Sequence, residues 1–180
     1  MRIDLKENIE IPAGVNVEIA GTKIEISKGS NKIVRSFKCK IEMIKKGNEI
    51  ILESKSGSRR EKNMIKTIKA HIKNMLSNVQ TKVSYKLKIC NLHFPITAKV
   101  EGGELVVNNF LGEKKARRMK IPTGVDVKVN KDEITVEAFD KELVGRTSAS
   151  FEKLTKVKNR DRRIFQDGIY IIEREGVPLA

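Results

Sequence analysis

Two histidines, His71 and His93, are the only imidazoles in the chain. His71 falls in a basic, helix-like stretch and His93 stands beside Phe94 and Pro95; neither has a Cys or His partner at metal-ligand spacing. Both read as structural or solvent-facing groups. No G-x-S-x-G elbow, P-loop or G-x-G-x-x-G run occurs, and Gly102-Gly103, set between two strand-like runs, reads as a hairpin turn. The carboxylates are scattered, with no pair assignable to one cleft, and Asp161 and Asp167 read as turn and capping groups. These residues predict no catalytic site, no cofactor and no metal.

Phosphate chemistry is another matter. Lys and Arg number 37 against 23 Asp and Glu, a formal net charge of +14, and this excess favours a polyanionic partner. The cations concentrate in three places. The first is a helix face carrying Arg59, Arg60, Lys62 and Lys66, continuing through Lys69 and Lys73. The second holds Lys114, Lys115, Arg117, Arg118 and Lys120. The third holds Lys156, Lys158, Arg160, Arg162 and Arg163, interrupted by Asp161. Lys and Arg neutralise phosphates with salt-dependent, largely sequence-independent affinity, and Arg adds planar bidentate contacts. The first two clusters have a plainer reading: a solvated face for the helix, protection of a strand edge for the second cluster. The third is the densest and is bounded by ordered-looking elements, so it can present its charges at little ordering cost.

Other classes fall away. No apolar run approaches the roughly 18–20 residues that span a bilayer, and the first ten residues lack the apolar core of a secretory leader. Cys39 and Cys90 read as reduced core thiols rather than a disulfide framework. With no Trp and 4% aromatic residues, a stacking platform for single-stranded bases, which needs clustered rings, is not expected.

The elements that must position these charges announce themselves through a repeat. Residues 11–19, IPAGVNVEI, match residues 121–129, IPTGVDVKV, and the match runs on ungapped, so that Lys23-Ile24-Glu25-Ile26 lies over Glu133-Ile134-Thr135-Val136 and Ile33-Val34 over Leu143-Val144. This predicts two copies of one small fold. In each, Pro-x-Gly turns the chain into an alternating run and a hairpin. In the first copy, strands are expected over 32–37, 41–44 and 49–53. Ser58 and Glu61 then have capping-box spacing, and Ile65, Ile68, Ile72, Met75, Leu76 and Val79 follow at helical intervals. A long strand is expected over 82–89. The second copy reads as strands over 94–100 and 105–110, the repeated hairpin, a helix over 146–155 anchored by Phe151 and Leu154, and a closing strand over 169–172. The fold class is α+β: two tandem duplicated domains, 1–81 and 82–180, each a mostly antiparallel β-sheet layer packed with one α-helix. No Gly/Ser-rich linker separates them, which predicts a fixed relation.

Three segments carry a resemblance: His93-Phe94-Pro95-Ile96, Asn109-Phe110-Leu111-Gly112-Glu113-Lys114, and residues 158–170, ending in Arg163-Ile164-Phe165-Gln166-Asp167-Gly168-Ile169-Tyr170. With Val157, Arg160 and Arg174 in place, the chain resembles the ribosomal large-subunit protein L-six family in its archaeal and eukaryotic branch, called L-nine in eukaryotes. One position departs: the opening Gln of the family signature is Lys153. The P-Y-K-G-K-G type motif of the bacterial branch is absent, and residues 158–167 occupy its place. The resemblance covers essentially the whole chain. It implies a structural ribosomal protein of the cytoplasm with two similar domains. Its partners would be large-subunit rRNA near the sarcin–ricin loop, neighbouring large-subunit proteins, and translational GTPases docking nearby. It further implies that the second domain makes much of the rRNA contact. Two rivals are a free-standing double-stranded-RNA binding module, which would bind generic duplexes by shape, and an RNA-processing enzyme, which would need an acid–base or metal cluster.

Overall fold

Alternating apolar and polar residues dominate the chain, and they fold as paired strands. A computed structural model describes residues 3–39 and 41–179. It divides into two compact units, Met1–Thr81 and Lys82–Ala180.

The first unit runs β1 (Ile3–Glu10), β2 (Asn16–Ala20), β3 (Lys23–Lys28), β4 (Asn31–Ser36), β5 (Glu42–Lys46), β6 (Glu49–Gly57) and α1 (Arg59–Asn78). The second runs β7 (Val83–Cys90), β8 (Thr97–Glu101), β9 (Glu104–Asn108), a short 3₁₀ turn (Phe110–Gly112), β10 (Arg117–Lys120), β11 (Asp126–Asn130), β12 (Glu133–Ala138), α2 (Lys141–Leu154), β13 (Gly168–Arg174) and β14 (Val177–Pro178). Sheet orders are β1-β6-β5 and β2-β3-β4 in the first unit, β10-β9-β8 and β11-β12-β7-β13-β14 in the second, with antiparallel pairing throughout. The α+β duplication is therefore present: six strands and a helix, then the same order again with two closing strands.

The matched hairpins do not mark equivalent places in that order. Each unit contains two halves of one plan, a single strand followed by a hairpin: β1 with β2–β3, β4 with β5–β6, β7 with β8–β9, β10 with β11–β12. Each single strand pairs with the second hairpin strand of its sister half, giving β1–β6, β4–β3, β7–β12 and β10–β9. Within one residue of the end of each single strand, one N–H donates to a carbonyl at the tip of that hairpin: Ile11 to Asn48 (2.9 Å), Phe37 to Thr22 (2.8 Å), Ile89 to Asp132 (2.7 Å) and Ile121 to Gly103 (2.9 Å). The sequence repeat thus joins the first half of one unit to the second half of the other. The two share Pro-x-Gly because both turns need a left-handed residue, Gly14 at φ 80° and Gly124 at φ 86°.

Two expectations change accordingly. Ile33-Val34 and Leu143-Val144 are not equivalent: the first lies in β4, the second in α2. The second helix starts at Lys141 rather than 146, because Asp140 caps it by accepting from the Glu142 N–H (2.9 Å) and Val144, Thr147, Ser148 and Phe151 already form its buried stripe. The β1 strand was not legible, since residues 3–10 carry charge at nearly every second position.

Helix α1 follows its pattern. The capping box of Ser58 and Glu61 is formed, with Glu61 accepting from the Ser58 N–H, and Ile65, Ile68, Ile72, Met75, Leu76 and Val79 are buried. In the second unit a single core takes Leu87 and Ile134 from one sheet, Leu105 and Val107 from the other, and Val144 and Phe151 from α2. Cys39 and Cys90 are free thiols, half-buried rather than core. No described helix is long and apolar enough to cross a membrane.

Candidate nucleic-acid interface

The third basic cluster lies between α2 and β13, and the fold fastens it at both ends. At its start Thr155 is buried, and its Oγ1 accepts from the Ile169 N–H at 2.8 Å, tying the end of α2 to the beginning of β13. Val157 is buried as an apolar anchor. At its far end Asp167 is 1% exposed and accepts from the N–H groups of Leu92 (2.7 Å) and His93 (2.9 Å) and from the His93 ring Nδ1 (2.6 Å). Burial works against the Asp167 charge; the backbone and ring donors of His93 and the N–H of Leu92 outweigh it and hold the carboxyl below the usual aspartate range. The His93 ring stacks on Phe165 (4.9 Å between centroids), and the Arg160 guanidinium lies over the same Phe165 ring, 4.8 Å from its centroid.

Inside the loop the expected turn chemistry is present. Asp161 accepts from the Arg163 N–H at 2.9 Å, its carbonyl accepts from Phe165 (2.9 Å), and Asn159 takes a left-handed conformation at φ 56°. Lys156, Lys158, Arg160, Arg162 and Arg163 are all exposed. A short constrained loop thus displays five cations with their backbone fixed. His93 is not an isolated side chain: it pairs with Asp167 across 74 positions of sequence, a contact that no local pattern announces.

The second cluster meets the third at the C-terminal end of α2. Arg117 donates from Nη1 to the Leu154 carbonyl (2.6 Å), forks onto the two Glu113 oxygens (2.8 and 2.5 Å), and lies 4.2 Å from the Phe110 ring centroid. The hydrogen bond from Arg117 pulls the Glu113 carboxyl below its ordinary range. Arg117 is thereby committed within the protein, whereas Lys114, Lys115 and Arg118 are exposed. Arg118 sits on β10, an edge strand of its sheet.

The first cluster belongs to the other unit. Arg59, Arg60, Lys62 and Lys66 are exposed on α1, but Lys69 pairs with Glu7 of β1 at 2.5 Å. That hydrogen bond, then the Lys69 charge, with Lys66 and Lys73 adding to it, lowers the Glu7 carboxyl. His71 likewise has a local partner, since its Nδ1 lies 3.1 Å from Arg35 Nη1. No group of three or more His, Cys, Asp or Glu residues that could hold a metal is found among the described residues. Two residues of the interface went unmarked by charge counting: Lys153 and Tyr170, which share a cavity with Lys156 and Arg162. Lys153 stands near the end of α2 and Tyr170 in the apolar run of β13, both outside the dense run of cations.

The geometry is that of exposed cations on a loop whose backbone is tied at both ends. The family model for ribosomal protein L6 matches residues 11–82 and 94–168, the greater part of both units. The chain belongs to the ribosomal protein L6 family. The large ribosomal subunit protein uL6 of Sulfurisphaera tokodaii is 44% identical over 96% of this chain and 94% of its own length. Those of Methanococcus vannielii (42%, covering 97% of each chain) and Aeropyrum pernix (41%, covering 96% of each) are similar over the same span. These relatives place it in the archaeal branch of the L6 family, a family of ribosomal proteins rather than enzymes.

Proposed function

We propose that the protein is a structural constituent of the large ribosomal subunit in the cytoplasm, and that its second unit binds large-subunit rRNA through the loop 156–163. The observation that carries this is the fastening of that loop. Thr155 and Asp167 hold its ends, Phe165 holds its middle through the Asp161 carbonyl and the Arg160 guanidinium, and Lys156, Lys158, Arg160, Arg162 and Arg163 remain exposed. Lys114, Lys115 and Arg118 extend the surface; Arg117 positions it. The exposed cations of α1, Arg59, Arg60, Lys62 and Lys66, are secondary contacts.

The mechanism is selection of an RNA shape. Charges at fixed positions neutralise phosphates only where the RNA brings those phosphates to the matching spacing, so the folded conformer that fits is stabilised over open alternatives. By family resemblance the site is the rRNA around the sarcin–ricin loop, beside neighbouring large-subunit proteins and the docking region of translational GTPases. In that place the protein supports the RNA and takes no step in GTP hydrolysis.

Sedimentation of tagged protein from lysate through a sucrose gradient tests the reading. Comigration with large subunits and whole ribosomes after a high-salt wash is expected; migration only in light fractions contradicts it.

A further inference from the structure

A cavity of about 270 Å³ opens beside the basic loop, where α2 ends and β13 begins. Its floor is apolar, made by Val157 and Ile169, both buried. One wall is the ring of Tyr170, 39% exposed. That ring is backed by Gly168: a Cβ added there would sit 3.5 Å from it and 3.3 Å from the Thr155 carbonyl. The remaining polar lining is Thr155, whose hydroxyl is committed to the Ile169 N–H, and the four charged side chains of Glu152, Lys153, Lys156 and Arg162. Among the described residues, none of these four side chains has a hydrogen-bond or ion-pair partner.

We propose that this cavity holds one unstacked nucleotide of the bound RNA, with guanosine preferred; the inference rests on the RNA-binding reading above. A simple anion site would not be built with a carboxylate inside it and the C-terminal end of a helix beside it, since both repel phosphate. An aromatic ring that lines a cavity suits a base, because every base has a π-face that stacks on an aromatic ring. A volume of about 270 Å³ lies just under the ~300–1,000 Å³ of ligand pockets, room for a single nucleotide and not for a paired one. Lys153, Lys156 and Arg162 then meet the phosphates on either side of the extruded base. Glu152 sets the preference. A carboxylate offers two acceptor oxygens side by side, and guanine alone among the four bases presents two adjacent donors, N1–H and N2–H, on one edge. The scarcity of aromatic residues argues against a stacking strip for a whole single strand; one ring is sufficient for one base.

Titration of GMP, AMP and inorganic phosphate into the ¹⁵N-labelled full chain, followed by NMR, tests this. GMP is expected to shift amides of residues 152–157 and 168–170 saturably, AMP more weakly, and phosphate alone little. Tyr170→Ala is expected to weaken GMP binding about tenfold, the stacking of one base, while Tyr170→Phe, which keeps the ring, retains it. Glu152→Gln is expected to bring the GMP and AMP affinities together. Equal shifts from inorganic phosphate, or GMP binding indifferent to both Tyr170→Ala and Glu152→Gln, would overturn the proposal. Because GMP binding needs no ribosome, its failure beside normal cosedimentation would sink the pocket and leave the ribosomal reading standing.

Discussion

The helix face of α1 and the loop 156–163 both carry an excess of cations and differ in how their charge is held. On α1 the cations stand on a regular helix, and one of them, Lys69, is spent on Glu7 of its own unit. Arg59 and Arg60 occupy the first turn, where the helix dipole disfavours positive charge and only Glu61 complements it. The acidic groups of the loop and its end are committed to backbone: the Asp161 carboxylate accepts from the Arg163 N–H, and Asp167 accepts from the N–H groups of Leu92 and His93. The carboxylates fasten the backbone and leave the cations displayed. Charge density is thus a poor guide to an RNA surface until the internal partners have been subtracted.

The comparison can be broken most forcefully through the cores. Ile72→Asp places an unpaired charge where exposure is 0%, and is expected to cost more than about 4 kcal/mol and unfold the first unit. Circular dichroism melting should then show one lost transition, with the second unit's melting retained. Loss of both units together would show that they do not fold separately.

Asp167→Ala comes next. It adds positive charge overall, yet it orphans the N–H groups of Leu92 and His93, at about 2–3 kcal/mol. Weaker rRNA binding is expected despite the gain in charge, whereas tighter binding would mean that charge, and not the fastening, decides. Its pH signature follows from the lowered Asp167 carboxyl. That group's stabilisation is complete above the unfolded aspartate value near 3.8 and is lost as pH falls through the lower folded value. Acid unfolding of the wild type below that pH should lose this component in Asp167→Ala.

Adjacent arginines give a finer contrast. Arg117→Ala removes the fork onto Glu113 and the bond to Leu154, and should destabilise the second unit by about 1–3 kcal/mol. Arg118→Ala should leave the melting temperature unchanged and lower the salt slope of RNA binding by about 1. The smallest effect is expected from Lys69→Ala, under about 1 kcal/mol for a partly exposed ion pair, with a melting shift near the limit of detection.

Much of this was legible in the chain. The capping box and apolar stripe of α1, the Pro-x-Gly hairpins and the three basic clusters are local patterns, and local patterns report local structure. The start of α2 was hidden because Leu143-Val144 aligned with a strand pair, and the Asp140 cap carries no periodic signal. The half-unit plan was hidden because only the first and last hairpins keep similar residues, while the crossing hydrogen bonds from Ile11, Phe37, Ile89 and Ile121 are backbone contacts indifferent to side chain. The His93–Asp167 contact joins residues too distant in sequence for any spacing rule. For the same reason Arg117 was grouped with its exposed neighbours, since its partner at Leu154 lies on another element.

The most direct test measures large-subunit rRNA affinity against salt concentration for the wild type and two triple variants. Arg160→Ala with Arg162→Ala and Arg163→Ala should lower the slope of log K against log salt by about 3 and weaken binding. Arg59→Ala with Arg60→Ala and Lys62→Ala should change it less. Equal slopes for the wild type and the loop variant, or a larger change from the helix variant, would contradict the assignment of the loop as the principal phosphate surface.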